Sequence, residues 1–154
     1  MPAMERTWKP NVTVAAVVER EGRFLMVEEE TSEGLRLNQP AGHLEPGESL
    51  VEASIRETLE ETAHAFLPES LVGIYQWPRP SGDITYLRFA FGGTVGEVLA
   101  GRTLDSGIVR ALWLSEAELQ ACAERHRSPL VLQCVRDYLD GRRYPLELMR
   151  HYDA

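Results

Sequence analysis

The chain has 154 residues, the length of one ordinary domain, so we expect residues 1–154 to form a single domain. Its formal net charge of -8 disfavours binding to nucleic acids or anionic membranes, and it would repel a polyphosphate unless cations are gathered locally. The two cysteines have no zinc-site spacing, and the chain shows no signal peptide or membrane-spanning apolar run, which predicts a cytoplasmic protein with reduced thiols.

Hydrophobic periodicity, turn residues and helix caps divide the chain into strands and helices. In chain order we predict strands 12–18 and 23–29, a loop 30–36, an extended piece 37–39, a helix 49–62, strands 71–77, 84–95 and 108–114, a helix from residue 116 and a helix from residue 130. This order predicts an α/β protein, an α/β/α sandwich in which helices cover both sides of a mixed β-sheet.

The helix predicted over residues 49–62 is amphipathic. Ser49 is a favourable N-cap, and Glu52, three residues later, completes a capping box. Because successive side chains turn by about 100° around the helix axis, the apolar residues form one stripe. We expect that stripe to pack against the core: Val51, Ile55 and Leu59.

Three carboxylates share the opposite side of this helix: Glu57, Glu60 and Glu61. Taken alone, such a group is typical of a solvated acidic face, although neighbouring carboxylates repel one another. The alternative is a site for a hard divalent cation such as Mg²⁺, which prefers oxygen ligands and is commonly held by a few carboxylates together with substrate phosphates. The residues around the helix favour the cation site.

The segment from Gly42 to Glu61, GHLEPGESLVEASIRETLEE, resembles the Nudix box, the sequence motif of the Nudix hydrolase family. The glycine and charged positions of that motif are all present: Gly42, Glu48, Arg56, Glu57, Glu60 and Glu61. Three positions depart from it: Thr58, Ala63 and His64. The motif has glycine at position 63, where a left-handed helix cap would make alanine less favourable by about 1 kcal/mol.

The resemblance extends over nearly the whole chain and is to the phosphatase NudJ subgroup of the family. It is carried by residues 9–15, 38–45, 87–89, 127–131 and 143–147. It implies the Nudix fold, an α/β/α sandwich. It also implies a phosphohydrolase that removes phosphate from nucleoside tri- and diphosphates and from the thiamine precursor hydroxymethylpyrimidine pyrophosphate.

The same resemblance implies the metal site and the catalytic residues. The cofactor is expected to be Mg²⁺, with Mn²⁺ as a substitute, held by the carbonyl of Ala41 and three carboxylates: Glu57, Glu60 and Glu61. The group that accepts a proton from the attacking water is left open, with Glu57 favoured. Possible outer ligands are Glu45 and Asp105.

Arg56 is expected to orient a catalytic carboxylate by pairing with Glu48 or Glu57. The alternative is a surface salt bridge, which would contribute at most about 1 kcal/mol to stability. Gly42 and Glu48 are assigned structural roles in the box.

Substrate selection must come from outside the box. Arg79 and Arg88 are candidate phosphate contacts, because the guanidinium group suits bidentate recognition of phosphate. Trp77 and Tyr86 would stack on a base or pyrimidine ring, with core packing as the alternative. Gln39 would hydrogen-bond a base edge, and His43 either faces the site or is an ordinary loop histidine.

We therefore predict an enzyme acting on a small nucleotide or pyrimidine pyrophosphate, as a monomer and without nucleic-acid or membrane partners. One alternative is a hydrolase of another diphosphate-linked compound, of the ADP-ribose type. Another is a non-catalytic Nudix domain that only binds a nucleotide, although the complete set of box carboxylates argues against it.

Overall fold

The computed structural model describes residues 6–154. The strands are β1 (Asn11–Val17), β2 (Glu19–Arg20), β3 (Arg23–Thr31), β4 (Gly34–Asn38), β5 (Ala41–His43), β6 (His64–Pro78), β7 (Thr85–Val98) and β8 (Ile108–Leu114). The helices are α1 (Leu50–Thr62), α2 (Glu116–Ala121) and α3 (Leu130–Leu139), with 3-10 turns at Ala123–Arg125 and Leu146–Leu148. None of these helices is long and apolar enough to cross a membrane.

The strands form two sheets. The first has the order β5-β1-β7-β6 and is mixed, because β1 runs parallel to β7 while the other pairs are antiparallel. The second contains β2, β3 and β4, with β8 paired to the other edge of β3. The predicted α/β class and mixed sheet are confirmed, with a second, antiparallel sheet beside it.

The buried strand β1 separates two layers of core. Val14 and Ala16 pack with the residues that face α1, whereas Ala15 and Val17 pack with the residues of α3. Successive side chains of a strand point to opposite faces, so an apolar run can fill the core on both sides of the sheet. This arrangement places α1 and α3 on opposite faces of the first sheet, as the α/β/α layering requires.

Two predicted boundaries differ from the structure. Strand β6 begins at His64, directly after α1, rather than at residue 71. Pro68 obscures this start in the sequence, but β6 is an edge strand, where proline is tolerated, and its register shifts between Pro68 and Ser70. The predicted loop 30–36 is largely a hairpin, in which Glu30 pairs with Leu35.

The capping box of α1 is present, with Ser49 and Glu52 exchanging side-chain and backbone hydrogen bonds. The apolar stripe is not the buried face of the helix: Val51 is partly buried and packs against the core, but Leu59 is only partly buried and Ile55 is exposed. The buried residues of the helix are Ala53, Ser54, Glu57, Thr58, Glu61 and Thr62. The helix therefore turns its acidic side inward, and its buried threonine hydroxyls donate to carbonyls one turn earlier.

Ala63 caps α1 in the left-handed conformation, with φ 62° and ψ 14°, and its N–H donates to the carbonyl of Leu59. We expect Ala63→Gly to raise the free energy of unfolding by about 0.5 kcal/mol, because glycine removes the strain while some apolar burial is lost. Urea denaturation measures the change. The control Ala53→Gly, inside the same helix, should destabilise by about 1 kcal/mol or more; equal losses in both variants would contradict strain at Ala63.

Candidate active site

An open cleft of about 1130 Å³ crosses the end of the molecule where β5, the tips of β6 and β7, and the segment before α3 meet. The carboxylates of Glu57 and Glu61 line it on one side, and Trp77 and Tyr86 line it on another. Arg88 also lines the cleft. Most of the residues predicted for the site are therefore brought to one cavity.

A cluster of carboxylate oxygens adjoins the cleft and meets it through Glu57. One oxygen each from Glu57, Glu60 and Asp105 lies within 4.8 Å of the others. Asp105 belongs to the loop between β7 and β8, and its backbone N–H donates to the carbonyl of Glu60 at 3.0 Å. Three oxygen donors at this spacing, partly open to solvent, fit the coordination that a hard divalent cation requires.

Glu61 lies beside this cluster and is largely buried, with 8% exposure. Its Oε1 accepts a hydrogen bond from the backbone N–H of Ala41 at 2.9 Å, which ties α1 to β5. Burial, with smaller contributions from the nearby Glu57, Glu29 and Asp105, raises the pKa of Glu61 to about 8, although the bond from Ala41 opposes the shift. A bound cation would replace the proton that this carboxyl otherwise retains near neutral pH.

Arg56 contacts both of its predicted partners. Its Nε and Nη2 donate to the two oxygens of Glu48 at 2.9 and 2.7 Å, and its Nη1 donates to Glu57 at 2.8 Å and Glu60 at 3.2 Å. Its Nη2 also donates to the carbonyl of His43. The bonds from Arg56 lower the pKa of Glu48, whereas burial raises the pKa of Glu57 against the pull of Arg56. One guanidinium thus links the box loop to the acidic helix.

The carboxylate of Glu57 lies against the backbone at Gly42 and leaves no space for a side chain there. A Cβ built at this position would fall 2.1 Å from the Glu57 Cδ, which is far inside van der Waals contact. The close approach of backbone and carboxylate explains why the box carries glycine here.

Gly42→Ala is therefore expected to displace the Glu57 carboxylate and to lower the rate of the phosphohydrolase reaction that the sequence predicts by about tenfold to a hundredfold, since small misplacements of catalytic groups are costly. Steady-state kinetics measures the loss. Gly96→Ala is a matched control, because a Cβ at Gly96 meets no atom within 4 Å. Equal activity of the two variants would contradict the role given to Gly42.

Trp77 and Tyr86 form a cross-strand pair between β6 and β7, with ring centroids 6.1 Å apart and planes 15° apart. Both are partly buried and both line the cleft, so they pack on each other and still present surface to a ligand. His43 also lines the cleft, with its ring 6.5 Å from that of Tyr86. The side chain of Arg79 is held by Asp83 at the cleft margin.

The structure does not support the predicted contact between Gln39 and a base. Gln39 is 1% exposed, and both ends of its amide are engaged within the protein. Its nitrogen donates to the carbonyl of Val131 at 2.7 Å, and its oxygen accepts from Arg88 at 2.8 Å. Gln39 directly follows β4 and lies under α3, where its amide joins the carbonyl of Val131 to Arg88. We therefore assign it to the support of Arg88.

Asn38 and Thr13 line the cleft beside Arg88, and the sequence-based prediction gave neither of them a role. Asn38 accepts a hydrogen bond from the Nη2 of Arg88 at 2.9 Å, and Thr13 lies next to Arg88 in the parallel register of β1 and β7. Asn38 lay in the predicted extended piece 37–39 without a site role, and only strand pairing brings Thr13 to Arg88. The alternation of Tyr86 and Arg88 in β7 was the available signal for this face.

The model of the NUDIX domain family matches residues 8–134, and the chain therefore belongs to the Nudix hydrolases, enzymes that act on phosphoanhydrides. It is similar to phosphatase NudJ of Escherichia coli strain K12, with 42% identity over 146 residues, which cover 95% of this chain and 94% of that protein. This similarity supports a Nudix phosphatase or pyrophosphohydrolase activity.

Solved structures agree. A NUDIX hydrolase from Nitrosomonas europaea is 55% identical, with a TM-score of 0.92 over 95% of this chain and 99% of that chain. A MutT NUDIX hydrolase from Burkholderia pseudomallei has a TM-score of 0.72 but only 16% identity, over 84% of this chain and 98% of that one. The second comparison shows a shared fold alone.

Proposed function

We propose that this Nudix hydrolase depends on Mg²⁺, with Mn²⁺ as a substitute, and removes phosphate from nucleoside tri- or diphosphates or from hydroxymethylpyrimidine pyrophosphate. The observation that carries the proposal is the group of oxygens from Glu57, Glu60 and Asp105, within 4.8 Å of one another. Glu57 also lines the cleft that holds Arg88 and the aromatic pair. A single ligand in the cleft would contact the carboxylate-bound metal, the guanidinium of Arg88 and the rings of Trp77 and Tyr86.

The chain's own residues have separable tasks in this proposal. Glu57, Glu60 and Asp105 hold the cation, and Glu61 and the carbonyl of Ala41 are proposed as further ligands beside them. When bound, Mg²⁺ supplies charge neutralisation at the phosphate oxygens and acidifies the attacking water. Phosphoryl transfer depends chiefly on such positioning and electrostatic stabilisation.

Glu57 remains our proposed general base. Arg56 donates to its Oε1 at 2.8 Å and so orients the carboxylate. Burial raises the pKa of Glu57 above the ordinary value for a glutamate, which brings it closer to the pH at which a base is effective. Arg56 acts here as a positioning residue that keeps the carboxylate aligned through Glu48.

The aromatic pair is proposed to bind the ring of the substrate. Trp77 and Tyr86 present partly exposed faces in the cleft, and stacking on a nucleobase or pyrimidine contributes about 1–3 kcal/mol per ring. Arg88 is proposed to contact phosphate. Arg79 is proposed for a weaker contact at the margin, because its guanidinium already pairs with Asp83.

The test is a substrate panel with the metal-stripped protein and added Mg²⁺. Nucleoside tri- and diphosphates, hydroxymethylpyrimidine pyrophosphate and ADP-ribose are incubated separately, and phosphate and pyrophosphate are each quantified. We expect Mg²⁺-dependent release of phosphate. Release of pyrophosphate from a triphosphate would overturn the assigned cleavage, preference for ADP-ribose would favour the alternative substrate class, and no turnover of any compound would reject these substrates.

A further inference from the structure

Arg88 is a buried cation without a counter-charge. Its side chain projects from the central strand β7 and the residue is only 6% exposed. Across residues 6–154, no carboxylate forms a salt bridge with it. A guanidinium remains protonated in proteins, and buried charges are normally paired because an unpaired one is costly to desolvate. Arg88 therefore needs an explanation that ordinary packing does not provide.

Neutral groups hold Arg88 in place. Its Nη1 donates to the amide oxygen of Gln39 at 2.8 Å, and its Nη2 donates to that of Asn38 at 2.9 Å. The Sγ of Cys134 is 3.9 Å from Nη1 and is a weak acceptor. In the described part of the chain the Nε–H has no acceptor. The guanidinium is thus fixed in direction by amide dipoles while its charge is left uncompensated.

Among residues 6–154, Arg88 is the arginine that is buried, which is why the absence of a carboxylate beside it matters. The chain carries 24 acidic and 16 basic residues, so acidic partners are abundant. Arg56 has Glu48 and Glu57 as partners, and the buried Glu28 is bonded by Arg110 and Arg125. The arginines without a carboxylate partner that the structure describes, such as Arg20 and Arg36, are exposed or only partly buried, so solvent can screen their charge.

The missing counter-charge can come only from the cleft. Arg88 lines the same cavity as Glu57 and Glu61, and it lies beside Thr13 on β1, which lines that cavity too. Asn38 also reaches the cavity, whereas Gln39 lies behind it and connects to the first turn of α3 through the carbonyl of Val131. An anionic group entering the cleft would meet an oriented, unneutralised guanidinium.

We propose that Asn38 and Gln39 are positioning residues that orient Arg88 without neutralising it, so that Arg88 binds a phosphate oxyanion of the ligand independently of the metal. The inference deepens the proposed function and rests on it for the identity of the substrate. Arg88 would distinguish ligands by their phosphate charge, and replacing either neutral amide with a carboxylate would remove that ability even though Arg88 is still present.

Asn38→Asp is the sharpest test, because it keeps the acceptor oxygen and adds only a charge. The probe is inorganic pyrophosphate with EDTA present, so that no metal contributes, and the readouts are the Tm and calorimetric affinity. We expect pyrophosphate to raise the Tm of the wild type, and Asn38→Asp to start from a higher Tm and lose most of that shift. In turnover, KM should rise about tenfold or more while kcat changes less.

Ser32→Asp is the matched control, since it adds the same charge at the cleft wall on a residue without a bond to Arg88. It should retain most of the pyrophosphate shift. An unchanged pyrophosphate shift in Asn38→Asp, or an equal loss in both variants, would overturn the proposal. Should Asn38→Asp not fold, Arg88→Gln replaces it, and a retained shift in that variant would overturn the proposal in the same way.

The proposed substrates and the proposed anion site at Arg88 can be refuted independently of each other. A wild-type protein that binds pyrophosphate through Arg88 but hydrolyses none of the panel would refute the proposed substrates and retain the anion site. If the wild type hydrolyses nucleotides and the KM is unchanged in Asn38→Asp, the proposed role of Arg88 is refuted. The proposed enzymatic function then still stands.

Discussion

Glu60→Gln is expected to lower Mg²⁺-dependent turnover by about a hundredfold or more while the fold stays intact. Glu60 contributes one oxygen to the cluster with Glu57 and Asp105, and its side chain is one-third exposed. Glutamine has the same shape but no charge, so it weakens the cation site without creating a cavity. The bond from Arg56 to Glu60, at 3.2 Å, can still form with the amide oxygen.

Steady-state kinetics across a Mg²⁺ titration, with unfolding curves for both proteins, measures this effect. The rate should fall and the Mg²⁺ concentration for half-maximal rate should rise. Glu69→Gln is the matched control, because Glu69 is exposed on β6 and lies outside the carboxylate cluster that contains Glu60. A Glu60→Gln enzyme with a near-wild-type rate and Mg²⁺ dependence would exclude Glu60 from the metal site.

Glu61→Gln is expected to change stability and activity in opposite directions. Without a bound cation, burial raises the pKa of Glu61 from 4.5 to about 8 in the folded chain. The folded state therefore holds more protons than the unfolded state between these values, and stability is lost as pH rises through that window. Glutamine carries no titrating group and still accepts the hydrogen bond from Ala41.

In EDTA at pH 8, Glu61→Gln should thus be more stable than the wild type by on the order of 4 kcal/mol. At pH 4, below the unfolded value, the two proteins should be nearly equal, because the wild-type carboxyl is protonated in most molecules of both the folded and the unfolded state. Mg²⁺-dependent activity should fall by about tenfold or more, because a proposed ligand has lost its charge. Urea denaturation at both pH values and a rate assay measure these effects; a less stable variant at pH 8 would refute the burial penalty.

The parts of the site that are local in sequence could be predicted before folding. Ser49 and Glu52 form the capping box, and the spacing of Glu57 and Glu60 on α1 follows from helix geometry. Helical periodicity depends only on neighbours within a few residues. The left-handed cap at Ala63 depends on equally local contacts at the end of the helix. The box pattern added the turn at Gly42, whose lack of a side chain is explained by contact with Glu57.

Which face of α1 is buried was decided by the tertiary structure. Hydrophobicity favoured the side with Ile55, but the helix buries Glu57 and Glu61 instead. The acidic side can face inward because Arg56 and the N–H of Ala41 bond to these carboxylates. A periodicity argument counts apolar side chains and has no information on such partners.

The remaining site residues also required the tertiary structure. Asp105, which the sequence offered only as a possible outer ligand, joins Glu57 and Glu60 from a loop far along the chain. Arg88 meets Asn38 and Gln39 only through the pairing of strands and the position of α3. The sequence by itself determined the family, the acidic helix and its caps, because these depend on local spacing. Only the folded chain decided which carboxylates lie together and which buried cation has no carboxylate partner within residues 6–154, because both depend on contacts between distant segments.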